Sequence, residues 1–406
     1  FALCPHIVPR KPHPALELIT MQRRQWLKGA GATALSFAGF QPAWANGSAN
    51  APRLLVVLLR GGMDGLTAVP PIGDATYAAI RPSIAVQNTL HLDGSFGLHP
   101  SFKHLHQLWG QQQLAVVHST GFSYAGRSHF EGQDVMQSGM AKPYTSASGW
   151  LGRAMQVAGV PGGVSISIPM PLILRGNPES STKFPNWMPP LPPGVADSLE
   201  ALWSKDGLIS PYASIMRSEA ATQRQGAMNR QNFASARSLP ELGRLAGQEM
   251  SQPQGPRVGL IDFTHGFDTH ANQGADQGGH AEQLVKIDQL IQNFQAAMGP
   301  MWANALVVTV TEFGRTAAEN GTTGTDHGVG TCCLLAGGLI GRAQVFSDWR
   351  GLHKDQLFEG RDLPPTIDVA AVYAKVIERV FEVTPAAIQQ QVIAHKPSAA
   401  LKGFLV

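Results

Sequence analysis

The sequence predicts an α/β fold with a mainly parallel sheet, and three observations point to it. Four short runs are apolar throughout, as strands buried on both faces are. Helical periodicity fills the intervals between them. Each run ends in a Gly-flanked turn carrying an acid, a histidine or a hydroxyl, the place where open α/β sheets bind ligands. Strands alternating with helices make a sheet covered on both sides. The 406 residues are 43% hydrophobic and 15% charged, apolar enough for a large core and too apolar for a disordered chain. Three cysteines at this length cannot build a small disulfide fold.

The chain's first distinctive element is an address. Met21-Gln22-Arg23-Arg24-Gln25-Trp26-Leu27-Lys28 leads into a Gly/Ala-rich, mildly apolar stretch that ends at Ala43-Trp44-Ala45. Paired arginines, a short apolar region and an A-x-A site have the layout of a twin-arginine (Tat) export signal. The apolar region is too short to span a bilayer. The expected organisation is therefore an upstream, non-native extension over 1–20, a signal peptide over 21–45 and one domain over 46–406. The expected destination is the periplasm or beyond, with the Tat translocase as a transient partner and no stable membrane span in the mature form. Of the 31 basic and 28 acidic side chains, five and one lie in residues 1–45, leaving 26 and 27 and a net charge of −1 for the rest. That balance gives no basic surface for nucleic acid.

The strand-like runs follow in order. Leu54–Leu59 opens onto Gly61-Gly62-Met63-Asp64-Gly65, and Leu114–Val117 precedes Gly126-Arg127-Ser128-His129, which starts a helix running to Ser138-Gly139. Residues 257–262 lead to Asp268 and His270; residues 305–310 lead to Glu312 and Arg315, with Asp326-His327-Gly328 further on. The clearest helix is 282–298, where Leu284, Ile287, Leu290, Ile291 and Phe294 share a face. The Pro-rich and then polar segment 177–255 is read as an inserted cap. Cys332 and Cys333 are read as small buried residues, since a bridge between neighbours is strained.

Taken singly, the polar residues have ordinary explanations. Asp64 suits a helix N-cap, as does Ser128, with Glu131 three residues on to complete a capping box. Asp268-Thr269-His270 suits a hydrogen-bonded turn, and Arg315 a solvated charge. Their joint occurrence at successive strand ends points further, to carboxylates and imidazoles converging on a divalent metal. A flavin or nicotinamide enzyme is disfavoured, because no G-x-G-x-x-G follows the first strand.

Five ordered motifs, "LLRGGMDGL", "GRSHFEGQDVMQSG", "GFDTHANQ", "TEFGRTAAENGTTGTDHG" and "AGGLIGR", resemble a bacterial family of exported proteins of uncharacterised function. That family is grouped with the alkaline phosphatase-like (sulfatase and phosphoglycerate mutase) superfamily, and the resemblance covers essentially all of 46–406. It implies a three-layer sandwich with a mainly parallel sheet. It implies one or two divalent ions, of zinc, manganese, magnesium or calcium. Asp64, Asp268 and His270 would be metal ligands, with His280 in reserve and Ser128 as nucleophile. Two alignments compete for the remaining ligands. By motif, Asp326-His327-Gly328 matches the superfamily's Asp-His-Gly. By strand register, Glu312 takes the carboxylate position, His327 becomes the later histidine and Phe313 replaces a histidine. The register alignment is preferred, because the superfamily pair directly follows its strand. Ser128 in place of a cysteine disfavours ordinary sulfatase chemistry. The implied activity is metal-dependent hydrolysis of small anionic phosphate- or sulfate-type esters, with Arg315 and Arg127 clamping the anion. The alternative is a non-catalytic exported binding or assembly protein on a degenerate hydrolase scaffold.

Overall fold

All four apolar runs lie in one sheet. The computed structural model describes residues 51–166, 170–182, 238–263, 266–396, 398–403 and 405, all within the unit Asn46–Val406. The expected extension (1–20), the expected signal segment (21–45) and residues 183–237 of the expected cap fall outside these. The sheet strands are β1 (Arg53–Leu59), β2 (Leu114–Gly121), β3 (Val164–Ser165), β4 (Ser181–Thr182), β5 (Val258–Phe263), β6 (Ala305–Val310), β7 (Thr331–Ala336), β8 (Val345–Phe346) and β9 (Ile367–Asp368). They run in the order β8-β2-β7-β6-β1-β5-β3-β4, with β9 also paired to β2. The pairings are parallel except the two made by β7, which runs against both β2 and β6.

Strand β1 shows why the fold has three layers. All seven of its residues are buried, and they alternate between two cores: Leu54, Val56 and Leu58 face one, Leu55, Val57 and Leu59 the other. Burying such a side chain contributes about 1.5–3 kcal/mol, so a strand that is apolar at every position after Arg53 must be covered on both faces. Helices α1 (Lys103–Gly110), α4 (Leu239–Met250) and α5 (Gly279–Met298) cover one side; α2 (His129–Ser138), α3 (Trp150–Val157) and α6 (Val369–Phe381) cover the other. The five residues expected on one helical face from 282 to 298 are all buried in α5. The described ends of the 177–255 segment form β4, at the sheet edge, and helix α4. Cys332 and Cys333 are free thiols buried in β7. Among the described residues, no helix is long and apolar enough to cross a membrane.

The reversed strand β7 has a local cause. After β6 the chain forms a small antiparallel hairpin, Gly314–Arg315 against His327–Gly328, and returns directly into the sheet. The 20 residues between Val310 and Thr331 hold no helix to carry the chain back along a face of the sheet, so β7 enters as an antiparallel neighbour rather than through a parallel crossover. Strand β7 therefore begins at the edge where β1, β2, β5 and β6 end. His327, just before it, arrives among the residues that follow those strands.

Candidate metal centre

Asp268, following β5, is the hub of the cluster. Its Oδ1 lies 2.7 Å from Arg315 Nη1, 3.0 Å from His270 Nε2 and 3.0 Å from His327 Nε2. Its Oδ2 lies 3.3 Å from His129 Nε2. His270 Nε2 and His327 Nε2 are themselves 3.0 Å apart, a spacing of two lone-pair atoms that calls for a proton or a cation between them. Gly61, at φ +113°, permits the approach, because a Cβ there would stand 2.8 Å from the Asp268 nitrogen. At Gly62 (φ +71°) a Cβ would stand 2.7 Å from the Phe313 ring, which packs against His129 and His327 with centroids 4.8 and 4.9 Å away.

Each imidazole is held from behind. His129 Nδ1 is 2.9 Å from Glu312 Oε1, His270 Nδ1 is 3.0 Å from Asp326 Oδ1, and His327 Nδ1 is 2.8 Å from the Arg127 carbonyl. A carbonyl can only accept, so His327 carries its proton on Nδ1 and, when neutral, presents a lone pair on Nε2. Nδ1 bound to a carboxylate or carbonyl with Nε2 turned inward is the outer-shell arrangement of metal-ligating histidines. His129 Nε2 is buried and has no hydrogen-bond partner among the described residues. Ligand atoms of His129, Asp268 and His327 all lie within 4.8 Å of one another.

The electrostatics follow from these contacts. The hydrogen bond from Glu312, added to its charge and that of Asp268, raises the His129 pKa above the ordinary 6.5 against the effect of burial. Burial pushes Glu312 up, but His129, the Gly61 N–H and Gln133 bring its carboxyl below the usual range. Asp268 is likewise lifted by burial and more than compensated by Arg315, His129 and His270, so it stays ionised.

Several sequence expectations are redrawn. Asp64, expected as a metal ligand, is sealed in a different cluster. Its two oxygens accept from Arg81 (2.6 and 3.1 Å), Thr67 Oγ1 (2.7 Å), Gln273 Nε2 (2.7 Å) and the Leu66 N–H (3.1 Å). It caps the short helix Gly65–Ala68, and its filled acceptor positions leave nothing for a metal. Glu312 and Asp326, the competing carboxylates, both face histidine Nδ1 atoms rather than the centre, whereas His327, a ligand in either alignment, turns its Nε2 toward Asp268. Arg315 spends its guanidinium on Asp268 and on Thr325, whose hydroxyl and carbonyl both accept from it. Arg127 is turned to Asp362 and Glu359. Ser128 stands at the N-cap of α2, but its side chain makes no cap hydrogen bond. Glu131 instead accepts from the Tyr124 hydroxyl, so the expected capping box is absent. His280 is buried with neither ring nitrogen bonded among the described residues, and burial pushes its pKa down to about 4; its ring packs edge-on against Phe267. The residue that sequence reasoning missed is His129, hidden beside Ser128 in the same motif.

Residues 212–395 match the model of a family described as a protein of unknown function (DUF1501). No curated protein matches the sequence. Among solved structures, the chain is similar to murine ectonucleotide pyrophosphatase/phosphodiesterase 5, at 10% identity and TM-score 0.42, over 87% of this chain and 100% of that one. It is similar to the C-terminal periplasmic domain of EcEptC from Escherichia coli in complex with Zn, at 9% identity and TM-score 0.36, over 72% and 74%. It is also similar to the PsFucS1 sulfatase from Pseudoalteromonas sp., at 12% identity and TM-score 0.41, over 95% and 77%.

Proposed function

We propose that the chain is a metal-dependent hydrolase of small phosphate- or sulfate-type esters, built on an alkaline phosphatase-like scaffold. The observation that carries this reading is the set of three imidazoles, each offering Nε2 to one carboxylate while an acceptor fixes its Nδ1. His129, His270, His327 and Asp268 would hold the ion. Three imidazoles and one carboxylate suit zinc better than magnesium or calcium, which prefer all-oxygen sets. With Asp64 committed to Arg81, one ion fits the residues better than two. A divalent cation there would act as a Lewis acid, polarising the ester and favouring ionisation of a nearby hydroxyl.

The chain's own residues supply the rest. Ser128 sits immediately before His129, at the N-terminus of a ten-residue helix, where the free N–H groups and the helix dipole stabilise negative charge. Its hydroxyl would attack the phosphorus or sulfur, its proton passing to the departing alcohol oxygen, and water would then cleave the serine ester to release phosphate or sulfate and restore the hydroxyl. Glu312, Asp326 and the Arg127 carbonyl keep the imidazoles oriented. Arg315 keeps Asp268 ionised and aimed, a positioning role in place of the anion clamp expected from the sequence.

Elemental analysis of the purified chain, followed by phosphate, phosphodiester and sulfate ester panels, tests the reading. A bound stoichiometric metal and turnover abolished by Ser128→Ala support it; turnover unaffected by Ser128→Ala sinks the serine mechanism. One observation favours a second reading, a metal-binding protein without catalysis. Phe313 packs against both His129 and His327 where the superfamily resemblance expects a histidine, and metal without turnover on any ester would select that reading. We also propose export by the Tat route to the periplasm or beyond. Arg23→Lys with Arg24→Lys should hold the chain in the cytoplasm, and export unaffected by that pair would refute the route.

A further inference from the structure

A cleft of about 510 Å³ adjoins the cluster; it is lined by Asp326, which holds His270, and by Arg361, whose Nη2 donates to the His327 carbonyl at 3.0 Å. Its size falls in the range of small-molecule sites, roughly 300–1,000 Å³. Its surface is mostly apolar, with Ile80, Ala318, Leu352 and Leu357 among the lining residues. Three of these belong to or pack on the small core cluster of Leu66, Tyr77 and Leu363.

The walls are tied in place. Arg81 donates from Nε to the Ala317 carbonyl (2.7 Å) and from Nη2 to the Thr316 carbonyl (2.9 Å). The Glu319 N–H donates to the Ile80 carbonyl (3.0 Å) and the Leu352 N–H to Asp74 (3.0 Å). A preformed cleft loses little entropy on filling.

We propose that this cleft binds the alcohol part of the ester, and that this part is an aryl or alkyl group rather than a sugar. The proposal rests on the hydrolase reading for the word ester, and on the cleft alone for the apolar group. The polar groups of the cleft are largely committed, Glu319 to the Ser83 and Ile84 N–H groups, Asn320 and Asp326 to His270, and Arg361 to the His327 carbonyl, so a sugar's hydroxyls would lose water there and regain few hydrogen bonds. An apolar ring has no such loss and removes the lining from water.

The test is binding to the full chain, by calorimetry or NMR titration, of 4-methylphenol against methyl glucoside. Saturable binding of the phenol alone is expected. Ala318→Asp, at an exposed wall position, and Leu357→Ser should each weaken it about tenfold, the cost of a charge or hydroxyl in an apolar contact, with metal content unchanged. Absence of phenol binding, equal binding of the glucoside, or phenol binding indifferent to both variants would overturn the proposal. Because the readout is binding, it does not depend on turnover. A chain that binds the phenol but cleaves no ester refutes the hydrolase reading and leaves the apolar site standing.

Discussion

Asp64 and Asp268 leave the ends of neighbouring strands, β1 and β5, which pair in register from Leu54 and Val258 onward. Each follows a turn with a positive-φ glycine, Gly62 and Gly266 respectively. Yet the Asp64 side chain is 1% exposed and answered by Arg81, while that of Asp268 is 42% exposed and answered by imidazoles. A strand end supplies reach; the partners supply the chemistry. The two clusters are joined by hydrogen bonds. Gln273 donates to Asp64 and accepts from the Thr325 hydroxyl (2.7 Å), which accepts from Arg315 Nε (3.2 Å). The sealed carboxylate thereby braces the open one.

This contrast can be broken most severely at Asp64. Asp64→Ala leaves Arg81 buried without its charge partner and should cost about 3–5 kcal/mol of stability, read by denaturant unfolding. Asp268→Asn keeps an acceptor oxygen for buried Arg315 but removes its charge partner, and should cost about 1–3 kcal/mol of stability, less than Asp64→Ala, while reducing bound metal to background by elemental analysis. If the two effects are exchanged, the assignment of structural and ligand roles is wrong.

Next in size is Glu312→Gln. Removing the charge behind His129 should weaken metal binding by about 10- to 100-fold, measured by competition with a chelator, and unchanged affinity would show that Glu312 orients nothing.

The two regions also differ in pH response. At the open cluster the proposed metal would have to displace a proton that Glu312 helps His129 to retain, so affinity should fall as pH drops, beginning above 6.5. In the interior, burial pushes His118 and His280 down to about 4. The unfolded chain then takes up protons from near pH 6.5 while the folded one does not. Metal-free stability should therefore decline as pH falls from 6.5 and level near 4, by roughly 3 kcal/mol at most for each histidine. Acid melts of the His280→Gln variant should show a shallower decline than the parent.

The strands were legible because β1, β2, β5 and β6 are apolar on both faces and end in glycine-flanked turns. The clustering of Asp268, His270 and His327 was legible because all three sit in segments following successive strands, which the fold brings to one edge of the sheet. Three things were not. Strand β7 was read only as an apolar run with two cysteines, since direction within a sheet is set by the short hairpin before it and not by composition. His129 was obscured because it follows Ser128, whose helix-start pattern explains the motif without it. The role of Asp64 turned on Arg81, seventeen residues on, and an ion pair across a loop leaves no periodic trace. The N-cap, the plainest explanation of Asp64, is what the structure shows, together with that ion pair.

The bond that fixes His129 joins residues 183 apart in the chain, and the one that fixes His327 joins residues 200 apart. No fragment of the domain can therefore assemble the centre, and such distant closures form late in folding. A cation would be captured only by a finished molecule. Adding it should leave the refolding rate untouched and lengthen the lifetime of the folded state, making the ion a lock fitted after the door is hung.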